Sequence, residues 1–175
     1  MGRFDSWHLA TIFQLGNPPR TELTKRLLRC TVRHLLPCWP IHGLMSIDLP
    51  PPEDFLDRFG IDAFRPGQRD VIESVLRGDD CLCIMPTGGG KSLCYQLPSV
   101  ARAGTTLVVS PLIALMKDQV DGLQAMGIEA AFINSSLNAT EQEERLLRFA
   151  SGHYDLFYVA PERFRSPRFL DAVQK

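Results

Sequence analysis

The feature that most constrains this chain is a glycine-rich run, residues 85–92, with the sequence Met-Pro-Thr-Gly-Gly-Gly-Lys-Ser. An apolar stretch, 81–85, precedes the run, and a helix predicted from Ser92 to Leu97 follows it, as in a phosphate-binding loop. Glycines let backbone N–H groups converge on a phosphate, and the helix N-terminus adds partial positive charge at the same place. The run therefore predicts a site for the phosphates of a nucleotide.

The side chains of the run have distinct expected roles. Lys91 is predicted to reach the β- and γ-phosphates as the catalytic residue, and the Ser92 hydroxyl is predicted to ligate Mg²⁺. The predicted nucleotide-binding residues of the loop are Thr87, Gly88, Gly89, Gly90, Lys91 and Ser92. The general pattern G-x-x-x-x-G-K-[ST] has glycine where this chain has Met85, but the Gly-Lys-Ser end carries the chemistry. A glycine-rich turn without a ligand is the alternative interpretation.

The composition is that of a globular protein without a membrane span. The 175 residues are enough for one domain with a core, and 45% of them are hydrophobic and 22% charged. No apolar run approaches the length of a spanning helix, and the N-terminus has no secretory signal pattern. We therefore expect no membrane association and a cytoplasmic or nucleoid-associated location, or a nuclear one in a eukaryote.

The cysteines argue against a zinc site and a disulfide framework. The chain has 5 of them, an odd number, and none forms a C-x-x-C pair. Cys81 and Cys83 are two residues apart on a predicted strand, so they are expected to share one face as small buried residues.

Charge divides the chain into two predicted parts, a basic N-terminal extension, 1–44, and a main body, 45–175. The extension has six Lys/Arg and two acidic residues, so the main body holds 13 of the 19 basic and 18 of the 20 acidic residues. Any contact of the main body with DNA must therefore be local. Three interpretations of the extension stay open. It is a segment translated from a start codon upstream of a functional start at Met45, an accessory arm, or a transit peptide. We expect it to contribute nothing to the nucleotide site.

Strands and helices alternate along the main body. Strands are predicted over 81–85, 106–109, 130–133 and 156–159. Helices are predicted over 67–77, from the N-cap Ser110 with Pro111 to Gly127, from a capping box of Asn138 and Glu141 to Gly152, and from Ser166–Pro167 onward. This alternation predicts an α/β fold with a parallel sheet flanked by helices, and ligands then bind at the carboxyl ends of the strands.

Four strings in order resemble the RecQ family of DNA helicases. They are Phe-Arg-Pro-Gly-Gln at 64–68, the run from Met85 to Pro98, the run from Val108 to Val120, and Val-Ala-Pro-Glu-Arg-Phe at 159–164. The resemblance covers nearly all of residues 53–170. It implies a RecA-like phosphate-loop lobe, incomplete at its C-terminus, of an ATP-dependent 3′–5′ DNA helicase with ATP and Mg²⁺ as cofactors.

The resemblance implies that the string at 64–68 binds adenine. The Gln68 amide offers one donor and one acceptor to the adenine edge, and the planar Arg65 guanidinium can lie over the base. Ile61 stands where many relatives have an aromatic residue, so it offers apolar contact without stacking. Without the resemblance, a helix N-terminal turn with a solvated arginine is the alternative.

The other two strings resemble the single-strand contacts of the family, with single-stranded and tailed duplex DNA as the implied partners. The implied DNA-contacting residues are Ser110, Lys117, Asn134 and Arg163. Helix capping and solvated surface charge are the alternative for these positions. Glu162 ends a hydrophobic strand as a magnesium ligand could, but its Ala-Pro-Glu-Arg context favours the DNA-contact string.

No Asp-Glu-Ala-His string occurs in the chain, so the magnesium-binding Asp and the water-activating Glu of such enzymes are not identified. The chain is therefore expected to be the first part of a helicase motor that is inactive alone. Two other hypotheses remain. One is a truncated nucleotide- and single-stranded-DNA-binding module without catalytic activity. The other is a phosphate-loop kinase, against which the adenine-binding and Ser-Pro-Leu strings argue.

Overall fold

Four strands form one sheet in the part of the chain that the computed structural model describes, residues 11–15, 50–86 and 88–174. The strands are β1 (Thr11–Leu15), β2 (Thr105–Val109), β3 (Ala130–Ile133) and β4 (Leu156–Val159). Their order across the sheet is β1-β2-β4-β3. The strands β2, β4 and β3 are parallel, whereas β1 is antiparallel to β2. The predicted α/β fold with a parallel sheet is confirmed.

Five helices accompany the sheet among the described residues. They are α1 (Gln68–Leu76), α2 (Leu93–Ala101), α3 (Ile113–Ala125), α4 (Ala139–Ala150) and α5 (Pro167–Val173). Short 3₁₀ helices cover Pro52–Phe55, Asp57–Phe59 and Pro161–Arg165. None of the described helices is both long enough and apolar enough to cross a membrane.

Helices cover both faces of the parallel strands. Every residue of β3 and β4 is buried, which is why these strands are continuous apolar runs without polar alternation. Val108 packs in one cluster with Met116 and Leu123 of α3, whereas its neighbour Leu107 packs in another with Phe149 of α4. The alternation of side chains along β2 thus sends consecutive residues into the two halves of the core.

A third apolar cluster lies between α1, α2 and the first 3₁₀ helices. Its buried members include Leu56, Ile72 and Leu97, and Met85 is packed against it as a partly buried residue. Because α2 begins directly after the glycine-rich run, this cluster holds the base of the predicted phosphate loop.

The predicted strand at 81–85 is wrong. These residues are irregular, and Leu82 and Ile84 are 78% and 70% exposed. A strand needs a neighbour for its backbone groups, and within the described residues β1 takes the edge of β2, pairing Thr11 with Val109 through Leu15 with Thr105. The predicted burial of Cys81 fails for the same reason, since Cys81 is exposed and Cys83 is half-buried.

The helix after β2 begins later than predicted. Ser110 is not its N-cap, because Leu112 holds that position and α3 starts at Ile113. The Ser110 hydroxyl instead accepts a hydrogen bond from the Leu112 N–H at 3.2 Å, which closes a local turn before the helix. The end of the helix is as predicted, with Gly127 in the left-handed region at φ 71°.

The second half of the chain follows the sequence prediction closely. The β3 and β4 bounds are those predicted, and α5 starts at Pro167 with Ser166 as its N-cap. The division of the chain at residues 44 and 45 falls outside the described residues. It stays a prediction, although β1 shows that part of the N-terminal region pairs with the sheet.

The start of α4 is held by the predicted capping box. The Asn138 Oδ1 accepts from the Glu141 N–H at 2.9 Å, and a Glu141 carboxylate oxygen accepts from the Asn138 N–H at 2.9 Å. We expect Asn138→Ala to lower the free energy of unfolding by about 1 kcal/mol, because the Glu141 N–H loses its acceptor. Urea unfolding measures this change. Asn138→Asp keeps the acceptor, so an equal loss in both variants would contradict a capping role.

Candidate functional site: a phosphate loop joined to the turn before α1

Each described glycine of the loop occupies a position where a side chain is unfavourable. Gly88 and Gly90 both have φ of 77°, in the left-handed region. Gly89 has an ordinary φ, but a Cβ there would lie 2.9 Å from the Pro86 carbonyl oxygen. The same oxygen accepts a hydrogen bond from the Gly89 N–H at 3.0 Å, which tightens the turn. Thr87 lies outside the described residues, so its predicted contact stays a prediction.

Lys91 is held inside the loop by backbone carbonyls. Its Nζ donates to the Met85 oxygen at 3.0 Å and to the Pro86 oxygen at 2.8 Å. The ammonium group therefore lies beside the approach to the loop and close to the N-terminus of α2. The positive charge of a lysine and the partial positive charge of a helix N-terminus at the same place attract a phosphate.

Ser92 and Cys94 mark the start of α2. Ser92 is the N-cap residue, yet its hydroxyl makes no capping hydrogen bond, which leaves the oxygen for another partner.

Cys94 is buried in the first turn, and burial, with the nearby Cys83 and Cys81, raises the pKa of its thiol to about 12. The thiol is therefore neutral at physiological pH and packs as an apolar residue.

The turn before α1 is bonded directly to the loop. Gln68 is 3% exposed, its Oε1 accepts from the Arg65 N–H at 2.7 Å, and its Nε2 donates to the Gly90 oxygen at 2.9 Å. The Arg65 guanidinium donates to the Gly88 oxygen. A Cβ on Gly90 would collide with the Gln68 amide nitrogen, so the fit requires glycine there. Sequence reasoning assigned both segments to one nucleotide site but did not foresee these direct bonds.

Ile61 lies near this turn but faces the protein interior. It is partly buried against the cluster that contains Leu56 and Ile72. Its side chain therefore supports the turn from within the core.

Three of the predicted DNA-contacting residues lie at one edge of the sheet. Ser110, Asn134 and Arg163 come shortly after the ends of β2, β3 and β4, and parallel strands end at the same edge. Lys117 is on the exposed surface of α3, where it pairs with Asp121. The hydrogen bond and charge of Asp121 raise the pKa of Lys117, so the residue keeps its positive charge.

These residues differ in how accessible they are. Asn134 is 1% exposed, and its Oδ1 accepts from both the N–H and the hydroxyl of Ser136, at 2.9 and 2.6 Å. Arg163 is half-buried and donates to the Gln142 amide oxygen at 2.8 Å, and its Nε has no hydrogen-bond partner within the described residues. Ser136 and Gln142 were missed as partners, although Asn followed by Ser is a common side-chain turn signal.

A buried polar link that the sequence did not reveal joins α2 to α3. The Gln96 amide nitrogen donates to the Gln119 side-chain oxygen at 3.1 Å and to the Tyr158 hydroxyl at 3.3 Å. Burial raises the pKa of Tyr158, so its hydroxyl stays protonated. The helix that starts at the phosphate loop is thereby tied to the helix that carries Lys117.

No group of three or more His, Cys, Asp or Glu side chains in the described ranges is placed to hold a metal ion. The role of Ser92 as a magnesium ligand at the loop stays a prediction.

Residues 65–174 match the profile of the DEAD/DEAH box helicase family, so the matched region runs from Arg65 through the loop to α5. The chain belongs to the DEAD/DEAH box helicase family.

Within that family the chain is similar to RecQ helicases, as the four sequence strings indicated. It is 51% identical over 117 residues to the ATP-dependent DNA helicase RecQ of Bacillus subtilis, covering 66% of this chain and 20% of that protein. It is 50% identical over 115 residues to RecQ of Haemophilus influenzae, covering 66% and 19%. The ATP-dependent helicase SGS1 of Saccharomyces cerevisiae is 44% identical over 108 residues, covering 59% and 8%. The chain thus spans about one fifth or less of these relatives.

Proposed function

We propose that this chain is the ATP-binding part of a RecQ-type 3′–5′ DNA helicase. The observation that supports it most is the bonding of Gln68 and Arg65 to Gly90 and Gly88, because it brings the base-binding and phosphate-binding strings into one site. The proposed partners are single-stranded and tailed duplex DNA.

The chemistry of the loop fits a nucleoside triphosphate. Glycine backbone leaves room for phosphate oxygens, Lys91 supplies charge, and the uncapped Ser92 hydroxyl supplies an oxygen for Mg²⁺. Bound Mg²⁺ would neutralise charge that develops on the phosphate oxygens during hydrolysis. For Lys91 to reach those oxygens, its Nζ would exchange the carbonyls of Met85 and Pro86 for phosphate.

The DNA site is proposed at the carboxyl edge of β2, β3 and β4. Ser110 and Arg163 offer a hydroxyl and a positive charge there, and Lys117 on the following helix α3 offers a second charge. These groups suit phosphate contacts that carry no sequence information. Asn134 is buried, so its contact requires the Ser136 turn to open.

The second candidate is a nucleotide- and DNA-binding module that does not turn over ATP. The lack of an Asp-Glu-Ala-His string and of a clustered metal site in the described ranges favours it for the chain by itself. Without a carboxylate to hold Mg²⁺ and orient water, binding and hydrolysis are separable properties.

The first prediction of this proposal concerns Lys91. We expect Lys91→Ala to weaken ATP binding by roughly tenfold or more, because a charged hydrogen bond to phosphate is lost. Titration of a fluorescent ATP analogue measures the dissociation constants. Arg77→Ala removes a positive charge from an exposed surface pair and serves as the control. Equal affinity of the Lys91 variant and the wild-type chain would show that the loop is not the site.

The second prediction concerns the base. To contact adenine, the Gln68 amide would have to exchange its hydrogen bonds with the Arg65 N–H and the Gly90 carbonyl for bonds to the base. We expect Gln68→Ala, which removes that amide, to narrow the preference for ATP over GTP by roughly three- to tenfold. Its effect on inorganic tripolyphosphate should be smaller. Gln124→Ala is the matched control, because that amide donates to the Ala130 carbonyl away from the loop. Competition binding with the four nucleoside triphosphates measures the ratio of ATP to GTP affinity. An unchanged ratio in Gln68→Ala would refute the role of Gln68 in binding adenine.

The third prediction separates the two candidate functions. We expect the 175-residue chain to bind ATP weakly and to neither release phosphate in response to single-stranded DNA nor displace a strand. Phosphate release and unwinding of a duplex with a 3′ single-stranded tail are the measurements. Lys91→Ala serves as the background control for contaminating ATPase. DNA-stimulated turnover above that background would exclude the non-catalytic module.

A further inference from the structure

Met85 departs from the general phosphate-loop pattern, and its side chain has a specific place. It packs as a partly buried residue against the cluster of Leu56, Ile72 and Leu97. Its terminal methyl lies 3.9 Å from the position that a Cβ on Gly67 would take, beside the start of α1. The Met85 Cβ lies 3.4 Å from the corresponding position on Gly89 in the loop. The side chain therefore fills the space between the turn before α1 and the phosphate loop.

Among the described residues, the backbone that leads into the loop has no partner strand. Residues 81–86 form no strand, and Leu82 and Ile84 point to solvent. In the part of the chain that the structure describes, Met85 is the residue of this segment that packs against an apolar cluster. Its burial therefore helps to fix the approach to the loop, together with the half-buried Cys83 beside Cys94 and the hydrogen bond from the Gly89 N–H to the Pro86 carbonyl.

The carbonyls at this approach hold Lys91. Its Nζ bonds to the oxygens of Met85 and Pro86, so the position of this backbone determines where the ammonium group lies. We propose that Met85 is a positioning residue, whose buried side chain holds the 85–86 carbonyls in place and thereby orients Lys91. Only the consequence for nucleotide affinity rests on the proposed function, because the orientation of Lys91 is a property of the protein itself.

Chemical labelling of the lysine amine tests the orientation without a nucleotide. In the full chain, trace acetylation followed by mass spectrometry compares labelling at Lys91 with that at the exposed Lys117. Met85→Ala should raise the ratio of Lys91 to Lys117 labelling by about fivefold, as the amine loses part of its hydrogen bonding. Met85→Leu keeps an apolar side chain of similar volume and should leave the ratio unchanged.

Two results would overturn the proposal. One is an unchanged labelling ratio in Met85→Ala, including the case in which general destabilisation raises labelling equally at both lysines. The other is the same rise of the ratio in Met85→Leu. If Met85→Ala does not fold, Met85→Val replaces it, because valine shortens the side chain less. The same labelling ratio is then measured, and the same results would overturn the proposal. Binding of inorganic tripolyphosphate gives a second readout, which should weaken about fivefold in Met85→Ala and not in Met85→Leu. Failure of the wild-type chain to bind tripolyphosphate would count against the nucleotide site and leave the labelling result intact.

Discussion

The hydrogen bonds of the Gln68 amide determine how the two ends of the candidate site fit together. Its oxygen binds the backbone of its own turn, and its nitrogen binds the Gly90 carbonyl across more than twenty residues of chain. Because the amide is buried, each of these groups would be costly to leave unpaired. The phosphate loop is therefore shaped by α1 and its preceding turn, in a structure where the segment before the loop has no strand partner among the described residues.

Local chemistry explains what the sequence predicted well. The capping box of Asn138 and Glu141, the ends of α3 and α4 near glycine, and the strands β3 and β4 all depend on residues a few positions apart. The assignment of Arg65, Gln68 and Lys91 to one site came from the order of the strings and their resemblance to RecQ helicases. The structure adds the hydrogen bonds of Arg65 and Gln68 to the loop carbonyls of Gly88 and Gly90, which no spacing rule specifies.

Non-local pairing explains what the sequence could not predict. An apolar run such as 81–85 becomes a strand only when another strand offers hydrogen bonds, and among the described residues it is β1 that pairs with the edge of β2. The antiparallel strand β1 was not predicted, because it lies outside the main body in which strands and helices alternate. The burial of Asn134 was equally hidden, because it depends on Met116 of α3 and on the Ser136 turn.

The link from Gln96 to Gln119 and Tyr158 gives the two proposed sites a shared support. Gln96 lies one turn into α2, which begins at the phosphate loop, and Gln119 is two residues from Lys117 on α3. A shift of α2 along its axis would strain the hydrogen bond from the buried Gln96 amide to the half-buried Gln119 side chain unless α3 moved with it. Breaking such a bond costs about 1–3 kcal/mol when the groups stay buried, which is comparable to a typical coupling energy between sites. The link thus connects the helix that follows the glycine-rich loop to the helix that carries Lys117, which are the elements of the two proposed sites.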